Sequence, residues 1–130
     1  MKLSRIFKDN DDFKTKSEAV CNASDLNVLK RIAESDSDYR IRIMALERID
    51  DEVFLADRAF NDSNRQVMTA AVDRISSQIH LEKIAKTHTD CHVRVAALRK
   101  IEDKSVLEGI CLNDSNKKVR KIACDILNHQ

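Results

Sequence analysis

The stretch LEKIAKTHTDCHVRVAALRKIEDKSV, residues 81–106, decides the fold. Leu81, Ile84 and Ala85 stand at i, i+3 and i+4, one side of a short helix. A polar break follows at His88-Thr89-Asp90. Then Val93, Ala97 and Ile101 recur at i, i+4 and i+8, the apolar stripe of a second helix. Asp90 precedes that stripe as an N-cap, because its carboxylate can accept from the free N–H groups of the first turn. The stretch predicts two helices joined by a short turn, and a single such pair cannot bury its own apolar faces.

The pattern repeats. Leu3, Leu29, Leu55, Leu81 and Leu107 are spaced 26 apart. Ile6-Phe7, Ile32-Ala33, Arg58-Ala59, Ile84-Ala85 and Ile110-Cys111 follow them at a constant offset. Polar breaks recur at 36–38, 62–64, 88–90 and 114–116, ending in Asp38, Asn64, Asp90 and Asn116. Ala19, Ala45, Ala71, Ala97 and Ala123 share one register, where a small side chain lets helix backbones approach. Ile41, Val67, Val93 and Val119 lie on one side of them, and Ile49, Ile75, Ile101 and Leu127 on the other. Units 3–28, 29–54, 55–80, 81–106 and 107–130 fill the chain as one domain, 1–130. The expectation is an all-α stack of five 26-residue helix–turn–helix units, about ten short helices, each unit burying its face on the next.

Residues 81–106 and the parallel string LKRIAESDSDYRIRIMALERIDDEVF, 29–54, resemble HEAT-like repeats of the short bacterial and archaeal type. The carrying features are a polar break ending in Asp or Asn, then Val-Arg or Ile-Arg, then Ala, then Leu and Ile. The resemblance covers residues 29–127 well and 3–28 poorly. Unit one has Thr15-Lys16 where Val-Arg is expected, and unit three has Met68 in place of the Arg. The resemblance implies an α-solenoid with a right-handed superhelix, whose second helices line the concave, partner-binding side. It implies scaffold and adaptor roles rather than catalysis. In similar repeats the Arg, here Arg42, Arg94 and Arg120, pairs with the break-loop Asp of a neighbouring unit; Asp36, Asp62 and Asp114 are available.

Composition agrees with this reading. There is no Pro and a single Gly, Gly109, so turn-rich β architectures are disfavoured. Charged residues make up 35% and aromatics 4%, which fits a thin aliphatic core. The formal net charge of +1 gives no global electrostatic case for nucleic acid or an anionic membrane. Cys21, Cys91, Cys111 and Cys124 form no CxxC pair, and the N-terminus turns charged at once. The expectation is free thiols in the cytoplasm, with Cys111 and Cys124 as small core residues and Cys21 and Cys91 accessible.

The second-helix row opposite the apolar stripe holds the candidate interface. It carries Phe13, Lys14 and Ser17, then Tyr39, Arg40, Ile43 and Glu47. Arg65, Gln66, Thr69 and Asp73 follow, then Cys91, His92, Val95 and Arg99, then Lys117, Lys118, Lys121 and Asp125. Aromatic and β-branched residues among Arg and Lys have the composition of a protein interface core. The binding residues expected are Phe13, Tyr39, Arg40, Ile43, Arg65, His92, Val95, Arg99, Lys118 and Lys121; the bland alternative is a solvated face with scattered apolar residues. Nucleic acid is the second class, through Lys14, Lys16, Arg40, Arg65, Arg94, Lys117, Lys118 and Lys121; Glu47 and Asp73 on the same face and the lack of Trp stand against it.

His88, Cys91 and His92 are the one cluster of metal-ligand types. Three ligands fall short of a four-coordinate structural zinc set, so no metal and no cofactor are expected. No Gly-rich phosphate loop, GxSxG or HExxH is present, and no enzymatic activity is expected. Acid pairs Asp11-Asp12 and Asp50-Asp51 fall at helix starts. At the array ends, Phe7 in a degenerate first unit suggests a cap. Ile122, Ile126 and Leu127 suggest a partly exposed C-terminal end that self-associates or abuts another segment.

Overall fold

The computed structural model describes residues 12–129, and the described residues are helical throughout, with short connections. Leu3, Ile6, Phe7 and Asp11 lie outside them. In chain order the helices are α1 (Phe13–Asn22), α2 (Leu26–Ser35), α3 (Tyr39–Leu46), α4 (Glu52–Asn61) and α5 (Arg65–Arg74). Then come α6 (Gln78–Thr87), α7 (Cys91–Leu98), α8 (Lys104–Asn113) and α9 (Lys117–Asn128). Contacts gather the chain into two compact units, one up to Arg74 and one from Ile75 onward. In the first unit α2 packs on α3 and α4 on α5, while α1, α3 and α5 lie side by side. In the second, α6 packs on α7 and α8 on α9, and α7 lies against α9.

The caps set these boundaries. Asp12 Oδ1 accepts from Thr15 N at 2.8 Å, and Asp38, Asp90 and Asp103 each accept from the N–H two residues on. Asn64 and Asn116 accept from two N–H groups each. Helices α3 and α7 end three residues before the last stripe residues, Ile49 and Ile101. Tighter i→i−3 bonds carry the chain onward: Ile49 N donates to Leu46 O at 3.0 Å and Ile101 N to Leu98 O at 3.1 Å. Both isoleucines are buried all the same. The repeated leucines mark the middle of a helix: Leu29 lies inside α2, so a unit counted from leucine to leucine cuts α2 and α4.

The core is aliphatic and periodic. Leu29, Leu55, Leu81 and Leu107 are buried, as are Ala45, Ala71, Ala97 and Ala123 and the row Ile41, Val67, Val93 and Val119. In α1 the register shifts: Val20 is buried and Ala19 half-buried. Leu127 is half-buried, where Ile49, Ile75 and Ile101 are closed off.

Buried charge runs through this core in a fixed register of 20 residues. Arg42 donates to both carboxylate oxygens of Asp62, from Nε at 3.0 Å and Nη2 at 3.1 Å, and from Nη1 to the Asp36 carbonyl at 2.7 Å. Arg94 repeats this on Asp114, at 3.1 Å twice, and donates to the His88 carbonyl at 2.8 Å. Lys16 stands where an Arg is expected and still reaches Asp36, at 3.3 Å. Asp36, Asp62 and Asp114 also accept from the N–H two residues on, so each carboxylate closes its own turn while holding a cation from the preceding repeat. Arg120 keeps the bond to its own turn, Nη1 to the Asp114 carbonyl at 2.6 Å.

At the remaining positions of this sequence register stand Met68 and His88, where the other steps carry a cation and an aspartate. His88 keeps the turn closed without a carboxylate: its Nδ1 accepts from Asp90 N at 3.0 Å.

A second cation series, 26 residues apart, closes helix ends. Arg48 donates to the Val20 carbonyl, Arg74 to the Ile49 carbonyl at 3.2 Å, and Lys100 to the Ile75 carbonyl at 2.6 Å. Each places positive charge near the C-terminal end of the preceding second helix, where carbonyls lack intrahelical partners.

One expectation is corrected. Cys111 and Cys124 are bonded to each other as a disulfide, with Cα atoms 5.1 Å apart, and both are half-buried. They are not free small core residues. The α8–α9 hairpin brings these positions together, which hold Ala85 and Leu98, or Ala59 and Val72, in earlier repeats. Cys21 is exposed and Cys91 half-buried, and both are free.

Two stability experiments follow. Arg94→Met should lower unfolding free energy by about 3–5 kcal/mol by stranding the Asp114 carboxylate. Adding Asp114→His, which removes the stranded carboxylate and keeps a ring nitrogen to close the turn as His88 does, should recover more than half of the loss. Urea unfolding of the two variants checks this, and a double variant as weak as the single one contradicts it. Replacing Cys111 and Cys124 together with Ser should cost about 3 kcal/mol, the loop-closure value for a bridge of this span. Reductant should bring the parent protein to the same stability as the variant.

Candidate functional site

The expected interface residues fall into two clusters, one in each compact unit. In the first, Arg40 lies over the Phe13 ring, its Cζ 4.2 Å from the centroid. The same guanidinium donates to Asp38 from Nε at 3.1 Å and Nη2 at 2.8 Å. Phe13 at the start of α1 and Arg40 at the start of α3 meet because α1 and α3 lie side by side. Phe13 is exposed, while Tyr39 and Ile43 are half-buried. The Arg40 hydrogen bonds hold the Asp38 carboxyl below the usual carboxylate range, with a smaller contribution from the backbone cap. Arg65, at the start of α5, is exposed.

In the second cluster α7 and α9 enclose an open groove of about 660 Å³. Cys91, His92 and Val95 line it from α7. Lys117, Lys118, Val119 and Ile122 line it from α9, with Ser115 and Asn116 at its end. Val119 is fully buried and forms the floor, while Val95 and Ile122 are half-buried walls. His92, Lys117 and Lys118 are exposed. The groove therefore brings together His92, Val95 and Lys118 of the expected set. Lys121 on α9 and Arg99, just past the end of α7, are exposed but do not line it. Val119 was legible only as core and Ile122 only as part of an exposed C-terminal end; the gap between neighbouring second helices is what places both in one groove.

Three of the eight cations of the expected nucleic-acid set are already neutralised. Lys16 and Arg94 are buried in ion pairs with Asp36 and Asp114, and Arg40 is held by Asp38. Arg42 likewise belongs to Asp62, so the Arg row is structural. Lys14, Arg65, Lys117, Lys118 and Lys121 remain as exposed cations. Lys117, Lys118 and Lys121 have no carboxylate within ion-pair distance among the described residues.

The metal-type residues regroup. His88 is buried and its Nδ1 is taken by the Asp90 N–H, so it stands apart from Cys91 and His92. Asp90 joins them instead, the three donor atoms lying within 4.8 Å of one another. His92 Nδ1 is 3.4 Å from Asp90 Oδ1 and 3.7 Å from Cys91 Sγ. Three donors on consecutive residues are one short of a tetrahedral set, and Lys117 and Lys118 share their groove.

No family model, curated protein or solved structure matches the chain. Among the described residues no helix is long and apolar enough to cross a membrane.

The Asp38 carboxyl should titrate below the ordinary value of about 3.9. Its contribution to stability is then complete above that ordinary value and is lost as pH falls through the lowered one. Arg40→Gln should move the titration of Asp38 back up, read from its side-chain carbon shift; an unchanged midpoint would mean that Arg40 does not hold the carboxylate.

Proposed function

We propose that this chain is a non-enzymatic binding module, an α-solenoid of HEAT-like repeats that presents its second helices to a protein partner. The observation that carries the reading is the groove between α7 and α9, where apolar walls and exposed cations meet on neighbouring second helices. Its volume lies in the range of sites that hold a ligand or a few side chains. The side-by-side packing of α1, α3 and α5, and of α7 with α9, supports the repeat architecture. The Arg40–Phe13 stack on α1 and α3 gives a second aromatic and cationic patch of the kind interfaces favour. The proposed compartment is the cytoplasm, where Cys21 and Cys91 would stay thiols and the Cys111–Cys124 bridge would meet a reducing poise.

Nucleic acid is the alternative, favoured by the cations of α9 alone. A protein that neutralises several phosphates loses affinity steeply with salt, and Lys14, Arg65, Lys117, Lys118 and Lys121 are the exposed cations of the set outside the Arg40–Asp38 pair. The half-buried Ile122, Ile126 and Leu127 leave self-association through the C-terminal end as a further mode, tested by sedimentation.

Capture from a nuclease-treated cell extract tests the reading. The parent protein should retain a discrete protein partner that an Ile43→Glu, Val95→Glu variant with native circular dichroism loses. Recovery of nuclease-sensitive material alone, or equal capture by both proteins, would set this surface aside.

A further inference from the structure

The groove between α7 and α9 has a charge character that narrows what can occupy it. None of its nine lining residues carries a carboxylate. The nearest acids on the same elements are engaged or distant: Asp90 accepts from His92 N at 2.8 Å, Asp114 is buried against Arg94, and Asp125 lies two turns along α9. Along α9 the sequence KKVRK puts Lys117, Lys118, Arg120 and Lys121 in the first five positions, with no acid in the first turn. Cations there oppose the helix dipole and repel one another, so this arrangement works against the stability of α9. A local choice that opposes the fold marks a place where function has been favoured.

Another groove in this unit is different. It holds about 390 Å³ between α6 and α8, and its rim carries both Lys86 and Asp114. Asp114 is already engaged by Arg94.

We infer that the α7–α9 groove takes an acidic peptide segment with an apolar centre, belonging to the protein partner. An aliphatic or aromatic side chain of that segment rests on Val95, Val119 and Ile122. Its flanking carboxylates lie on Lys117 and Lys118, and His92 borders the opposite wall. The inference rests on the binding-module reading and names the chemistry of the partner at this groove. The apolar floor separates such a segment from a plain polyanion, which would gain nothing from it. The open rim, with cations on one side only, suits an extended segment that enters and leaves the groove.

The test uses the full chain and labelled hexapeptides Asp-Glu-Xaa-Xaa-Glu-Asp, with Leu, Phe or Trp at both central positions, read by fluorescence anisotropy. The controls are Asp-Glu-Ser-Ser-Glu-Asp, Lys-Lys-Leu-Leu-Lys-Lys and random duplex DNA. At least one acidic apolar peptide should bind saturably, about tenfold or more tighter than both peptide controls. Lys118→Glu, a change at an exposed position that leaves the core untouched, should weaken that binding about tenfold. Val95→Asp should do the same, and Lys86→Glu at the other groove should change nothing. Equal binding of the Ser-containing peptide would mean simple anion attraction and overturn the inference, as would tighter binding of DNA. If no acidic apolar peptide binds while a partner is still captured through the second helices, the peptide chemistry is wrong and the binding-module reading survives. If neither occurs, both fail.

Discussion

The structure depends on buried ion pairs set at a constant spacing. Arg42 with Asp62 and Arg94 with Asp114 each join the second helix of one repeat to the turn of the next, and Lys16 with Asp36 does the same with a shorter reach. Apolar stripes alone would let neighbouring repeats slide, because Val, Ile and Ala offer little to fix a register. A guanidinium that must meet two carboxylate oxygens and one carbonyl fixes it to within a hydrogen bond. The same carboxylates close the turns that start the second helices. Turn, cap and stack are therefore coupled, and losing one partner strands the other in a place without water.

Much of this was legible in the residues. Asp38, Asp90, Asp103 and Asn116 read as caps and are caps, because capping is local and its residue types are few. The pairing of Arg42 and Arg94 with break-loop acids followed from the resemblance. What was less legible depends on pairs that only the hairpin brings together. Cys111 and Cys124 read as two isolated substitutions at stripe positions until α8 and α9 are set side by side. Arg48, Arg74 and Lys100 recur every 26 residues, a visible signal, but their carbonyl acceptors carry no residue-type signature. Met68 and His88 read as departures, and for His88 the ring nitrogen that accepts from Asp90 N does the turn-closing work of the missing aspartate.

The candidate site was legible by type and not by geometry. The second-helix row predicted His92, Val95 and Lys118, and these line one groove. The row could not separate cations at work in the fold from cations left over. Lys16, Arg40 and Arg94 belong to the first kind, Lys117, Lys118 and Lys121 to the second. That sorting moves the weight of the functional reading from the whole row to α7 and α9, and narrows the proposed protein partner to one with both carboxylates and an apolar side chain.

The most direct test of the central claim is hydrogen exchange at the arginine side chains, followed by nuclear magnetic resonance at neutral pH. Arg42 and Arg94 should show slowly exchanging Nε–H groups and hindered guanidinium rotation, while exposed Arg99 exchanges fast. If Arg42 and Arg94 behave like Arg99, the buried pairs do not hold the repeats in register and the account fails.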